Sequence, residues 1–237
     1  MQTTIWPRVG GVILASVLAC GALSAQPSAV GPRTTTLRAM YGLKPPSELL
    51  APKTALVLVD FQDEFVHGRL ALPGAAPAIR RAVDLVHWAH RSGVLVVFVQ
   101  NVVSRPGSPL FAPGSKTTAF VQQLQPRAGD FVIQKSMVGA FSKTSLDQEL
   151  RSRGIDTLIV SGFMTHLAVQ STASDASVLG YHVLVAADAT ATRSLPGAGG
   201  EAGVDAAQLQ RAALDAISDR VADVILGQTI MNLPVSR

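Results

Sequence analysis

The sequence predicts a three-layer α/β/α domain built on a parallel sheet of roughly six strands. Two observations carry that prediction. Short, continuous apolar runs recur along the chain, and segments with apolar residues at helical spacing separate them. Continuous rather than alternating hydrophobicity marks a strand covered on both faces, which is the condition of a parallel sheet. Strand and helix taking turns imply crossover connections that place helices on both sides of that sheet.

The elements follow in order. Ala55–Val59 is the first apolar run. Pro77–Ser92 carries Ile79, Ala82, Val83, Val86 and Ala89 at helical spacing and stops before Gly93, a residue that suits a helix C-terminus. Val94–Val99 reads as the second strand and Phe131–Ile133 as a shorter third. Leu146–Arg153 is a short helix closed by Gly154, and Thr157–Val160 is the fourth strand. Thr165–Leu179 reads as one helix with Thr165 as its N-cap and Gly180 at its end. His182–Ala186 is the fifth strand, Asp205–Val221 a helix and Asp223–Leu226 a sixth strand. The result is a Rossmann-like sheet.

At 237 residues and 24.8 kDa, 48% hydrophobic and 15% charged, the chain is long and apolar enough to bury a core, which excludes disorder. The net charge of +4 is spread without a Lys/Arg block, and aromatics make up only 5%, so no nucleic-acid partner is expected. Cys20 is the one cysteine. It excludes an internal disulfide framework and thiolate zinc sites. His67, His87, His90 and His182 lack metal-ligand spacing, and His87 and His90 are expected on a helix surface. No metal and no cofactor are expected.

The N-terminus reads as an address. Arg8 precedes an apolar stretch around Val12–Leu18 and then small residues through Ala25. A basic start, a short apolar centre and small residues describe a secretory signal peptide. Residues 1–25 are therefore expected to be a signal peptide, 26–53 an exported linker, and 54–237 the working domain. Three fates stay open: cleavage near Ser24 or Ala25, giving a periplasmic or secreted protein; lipidation at Cys20 in the lipobox-like Val17–Cys20; or retention of the segment, the last two of which bring the membrane in as a partner.

In parallel α/β sheets, ligands bind beyond the carboxyl ends of the strands. Asp60 ends the first strand, where partial desolvation would raise its pKa and suit it to proton exchange; a turn role explains its position equally well. Asp63 and Glu64 are expected to face solvent. Lys135 ends the third strand, where it could hold Asp60 ionised or stabilise an oxyanion, although an isolated lysine more often snorkels to the surface. After the fourth strand, Met164, Thr165 and Ala168 open a helix whose free N–H groups favour developing negative charge. His166 is read as structural. Phe65 could line the pocket or pack in the core, and Gly197–Gly203 is an exposed loop or a lid.

Three ordered segments resemble the isochorismatase-like (cysteine hydrolase) superfamily: Leu56–Phe65, Lys135 after a short strand, and Ser161–Asp175. The likeness runs from about Thr54 to Met231. It implies that Asp60 and Lys135 match the family's catalytic aspartate and lysine, that Ala168 occupies the position of the nucleophilic cysteine, and that a cis peptide lies near Phe163–Met164. It also implies that the thioacyl route is closed, whereas isochorismatases that cleave a vinyl ether carry a small residue at that position and use the aspartate as acid with water as nucleophile. Gln100–Arg105 lacks the metal cluster of the superfamily's nicotinamidases. A homo-oligomer is an expectation of the resemblance. Two readings stay open: an exported hydrolase acting on a small molecule with Asp60 and Lys135 and no cysteine, and a small-molecule-binding protein that lost its nucleophile.

Overall fold

The computed structural model describes Met1 and Thr35–Arg237. The expected signal peptide and the first part of the linker lie outside these residues. In chain order the described elements are α1 (Leu37–Met40), β1 (Leu49–Leu50), β2 (Thr54–Val59), α2 (Ala75–Ser92), β3 (Leu95–Asn101), β4 (Phe131–Lys135) and α3 (Leu146–Ser152). There follow β5 (Thr157–Phe163), a π-helical turn (Thr165–Val169), α4 (Gln170–Val178), β6 (His182–Ala191), α5 (Ala206–Arg220), β7 (Asp223–Ile225), α6 (Gly227–Met231) and β8 (Val235–Ser236).

Six strands form one parallel sheet in the order β4-β3-β2-β5-β6-β7. β2 is the hub, and all six of its residues are buried, as its unbroken apolar run requires. Its side chains alternate between two cores. Leu56 and Leu58 join Ile79, Leu85 and Ala89 of α2 on one face, while Val57 and Val59 join Leu146, Leu150 and Ile217 on the other. Each buried aliphatic side chain of this kind stabilises the fold by about 1.5–3 kcal/mol before entropy is counted. Because the chain winds outward from β2 in one direction and from β5 in the other, the switch point falls between the ends of these two strands. A crevice at the carboxyl edge is built there by topology alone.

Three expectations change. The helix expected over Thr165–Leu179 is split: the N–H of Val169 reaches back to the Met164 carbonyl at 3.2 Å, an i→i−5 bond, so the first turn is wider than an α-turn. Thr165 does not act as the N-cap: Met164 holds that position, and the Thr165 hydroxyl is spent on Gln210 of α5. The segment 35–53 is more than a spacer. β1 pairs in parallel with β8, Leu49 and Ala51 are buried in the core facing α2, and Arg38 forms an ion pair with Asp223 at 2.6 Å. Lastly, β6 runs to Ala191, five residues beyond the apolar stretch that marked it in the sequence. After a bulge beside Ser161, Gly162 pairs with Thr190 and Phe163 with Ala191.

Candidate active site

The site begins with Asp60. The residue continues the ladder, its N–H donating to the Val99 carbonyl at 3.0 Å, and then leaves the strand with φ 55°, a conformation tolerated by aspartate better than by most residues. The Gln62 N–H returns to the Asp60 carbonyl at 2.7 Å and closes a tight turn. Gln62 is fully buried, and its amide bonds the Asn101 backbone in both directions, at 2.8 and 2.9 Å, and the Thr118 carbonyl at 2.7 Å. The turn that holds Asp60 is thereby locked to the end of β3.

Lys135 stands opposite Asn101 in the β3–β4 register, so it reaches the same edge. Its ammonium lies 2.7 Å from Asp60 Oδ2 and 3.2 Å from the Met137 carbonyl, and both side chains of the ion pair are almost completely buried. Lys135 therefore does not snorkel. Asp60 Oδ1 is buried without a hydrogen-bond partner among the described residues. Burial pushes the Asp60 pKa up to about 6, while the charge of Lys135 and its hydrogen bond pull it down. Desolvation outweighs pairing because only one of the two carboxylate oxygens is compensated. A carboxyl group poised near neutrality, beside a cation and with one open acceptor, can give or take a proton.

The third side of the site comes from β5. Gly162 has φ 134°, and a Cβ there would lie 2.0 Å from the Val59 carbonyl oxygen, so glycine lets β5 press against β2 one residue before Asp60. The Phe163–Met164 peptide is cis, as the resemblance implies. Phe163 packs against Phe61 in a tilted arrangement with ring centroids 4.7 Å apart and meets the edge of Phe65 at 5.7 Å; Phe65 also packs, tilted, against Phe111 at 5.5 Å. Phe65 is 3% exposed and belongs to this aromatic packing. Met164, Thr165 and Ala168 are all buried, and Ala168 presents a methyl group in the turn after β5, within the same core cluster as Val59 and Val99.

Thr165 donates its hydroxyl to Gln210 Oε1 of α5 at 2.7 Å, and the Gln210 amide nitrogen donates to Thr190 Oγ1 at 2.8 Å. His166 is half-buried, with Nδ1 in a short hydrogen bond to Thr192 Oγ1. Burial and the nearby Arg193 guanidinium hold its pKa below the usual imidazole value.

Two further expectations fail. Glu64 does not face solvent: it is 2% exposed, because its Oε1 accepts the Arg69 N–H at 2.7 Å and its carboxylate packs under Gly68. His90 is not a surface residue either, with a side chain 12% exposed and Nε2 2.8 Å from Asp130. Sequence reasoning also missed Gln62, Gln210, Thr192 and Arg193. Thr192 and Arg193 lie beyond the apolar stretch that ends at Ala186, and Gln210 sits in the middle of α5 with no local sign of its partners. The alternating threonines of Ala189–Thr192 were the available sign that the strand continues.

Residues 54–229 match the model of the isochorismatase domain. The chain belongs to the isochorismatase family. It is similar to a secreted isochorismatase effector of Verticillium dahliae, 31% identical over 78% of this chain and 93% of that protein, and to a streptothricin hydrolase of Streptomyces noursei, 34% identical over 75% and 70%. Among solved structures, an isochorismatase from Pseudomonas putida superposes with a TM-score of 0.77 at 30% identity, covering 83% of this chain and 99% of that one. A cysteine hydrolase from Pseudomonas syringae gives 0.75 at 26% identity, covering 79% and 96%.

Proposed function

We propose that the protein is an exported hydrolase that acts on a small molecule without a cysteine nucleophile. The observation that carries this reading is the buried Asp60–Lys135 pair, in which one carboxylate oxygen is held by the ammonium and the other lacks a partner among the described residues. Asp60 exchanges the proton, as acid toward a leaving oxygen or as base toward water. Lys135 tunes Asp60 and stabilises negative charge. The N–H groups of the Met164–Ala168 turn receive an oxyanion. Ala168 stands where the family's cysteine hydrolases carry their thiol, so water supplies the attacking oxygen. No thiolate is needed when the substrate's electrophilic carbon is activated by protonation, as in a vinyl ether. Membership of a family with hydrolases among its relatives supports the activity, and the likeness to a secreted relative supports export.

The test is a screen of the purified protein against vinyl ethers, esters and amides, with Asp60→Asn and Ala168→Cys alongside. Turnover by the wild type is expected, with a loss of about 10²–10⁴-fold in Asp60→Asn, the range of a positioned acid–base group. A wild type inert on all three classes, with amidase activity appearing in Ala168→Cys, would instead identify a binding protein that lost its nucleophile.

A further inference from the structure

Between Asp60 and Lys135 runs β3, and its last residue is left unused by the catalytic reading. In the sheet order β4-β3-β2, β3 separates the lysine from the aspartate. Two strand spacings amount to about 10 Å, yet the ammonium reaches Asp60 Oδ2 at 2.7 Å. The Lys135 side chain must therefore cross the end of β3. Asn101 is the residue it crosses, because Asn101 and Lys135 are register partners. Alternation along the strand gives the direction of the Asn101 side chain. Val97 and Val99 enter the core that contains Val59, Ile133 and Ala168, whereas Val96 and Phe98 enter the other. Asn101 follows Val99 by two residues, as Lys135 follows Ile133, so both fall on the face that carries Ala168.

The Asn101 backbone is clamped by the Gln62 amide at 2.8 and 2.9 Å. Its carboxamide is not: Oδ1 is buried without a hydrogen-bond partner among the described residues. The neighbouring amides are engaged. Gln62 and Gln100 both donate to the Thr118 carbonyl, at 2.7 and 3.0 Å, and Gln134 donates to Gln100 Oε1 at 3.0 Å. A buried acceptor left unpaired is costly, and native proteins keep one where a water or ligand completes it. Asp60 Oδ1 is a second such acceptor at the same edge.

We propose that Asn101 and Asp60 together hold the nucleophilic water, Asn101 Oδ1 accepting a hydrogen bond from one O–H and Asp60 Oδ1 from the other. Water is the smallest group with two donors, and binding both leaves a lone pair on its oxygen free to attack. As that lone pair bonds to the electrophilic carbon of the substrate, the proton facing Asp60 passes to Oδ1. Asp60 then gives it to the leaving group, which departs with the electron pair of the broken bond. The other proton stays on the attacking oxygen, so Asn101 exchanges nothing and aims the water. This inference rests on the reading of the site as hydrolytic, and it adds the group that orients the nucleophile.

The test separates placement from turnover. A crystal structure of the full chain that shows ordered solvent is expected to hold a water within hydrogen-bond distance of both Asn101 Oδ1 and Asp60 Oδ1. No water joining the two oxygens overturns the proposal, as does an Asn101 turned so that Nδ2 donates directly to Asp60. The role is read from Asn101→Leu, which keeps the volume and removes the acceptor. On a substrate that the wild type turns over, kcat should fall about 10²-fold while KM changes less than about twofold, the pattern of a misplaced nucleophile and not of a lost substrate contact. Its thermal midpoint should hold or rise, since the carboxamide serves the site and not the fold. A folded Asn101→Leu with wild-type kcat overturns the assignment. Should that variant fold poorly, the water position in the wild type still decides. A wild type that holds the water but turns over no vinyl ether, ester or amide would count against the hydrolase alone. Turnover that survives intact in Asn101→Leu would count against Asn101 alone.

Discussion

At the residue scale, the proposed chemistry turns on one carboxyl group and the imbalance around it. Asp60 gains an ammonium on Oδ2 and nothing on Oδ1, and burial prevails. A carboxyl whose folded pKa is raised binds its proton more tightly in the folded than in the unfolded state. Its favourable contribution is therefore present below the ordinary carboxylate pKa of 3.8 and is lost as pH rises through about 6, opposite to a surface-paired aspartate. The same titration should govern rate. Activity is expected to show one limb centred near pH 6, falling with pH if Asp60 is the acid and rising if it is the base. Lys135→Met should move that limb to higher pH by removing the one charge that favours the ionised form. A kcat/KM profile that is flat between about pH 5 and 7 would contradict the role given to Asp60.

At the element scale, β5 and its following turn decide the shape of the site. A strand that must pass one carbonyl from β2 tolerates no Cβ at position 162, and the glycine there combines a positive φ with that close approach. Gly162→Ala is expected to lower stability by more than about 2 kcal/mol, since backbone rather than a flexible side chain stands in the way, and a denaturant-unfolding midpoint would measure it. A midpoint within error of wild type would mean that the β2–β5 contact has slack. The turn that follows is fastened from α5 through Thr165–Gln210–Thr190 and from the residue just after β6 through His166–Thr192. The sequence shows a threonine before a helix and invites a cap. The structure spends that hydroxyl on a residue 45 positions away, a tertiary choice with no local signature.

At the scale of the whole molecule, the two ends of the described chain stabilise each other. Leu49 is buried, its N–H donates to the Pro234 carbonyl at 2.9 Å, and β1 pairs with β8. Leu37 and Arg38 bond Asp219 and Asp223 near the end of α5 and the start of β7. A chain beginning at Thr54 should therefore melt several degrees lower than one beginning at Thr35, because it loses the burial of Leu49 and Ala51 together with these bonds. Equal melting temperatures would reduce the segment to a passive spacer. Nothing in its composition announces the role: it is short, mixed and proline-containing, and its partners lie about 185 residues away, as in the Arg38–Asp223 pair.

The sequence by itself determined the parallel sheet and its helices. Continuous apolar runs can satisfy both faces of a strand in no other common way, and helical spacing needs only local contacts. It also determined that Asp60 and Lys135 stand at strand ends and that a methyl group occupies position 168. Only the tertiary structure decided that the carboxylate and ammonium meet, that Glu64 turns inward, that β6 outlasts its apolar stretch, and that Arg193 comes to rest beside His166. Each of these depends on register between strands distant in sequence, or on which polar atoms are left over when the core closes. Periodicity carries information about faces, whereas desolvation and pairing are settled only when the faces come together.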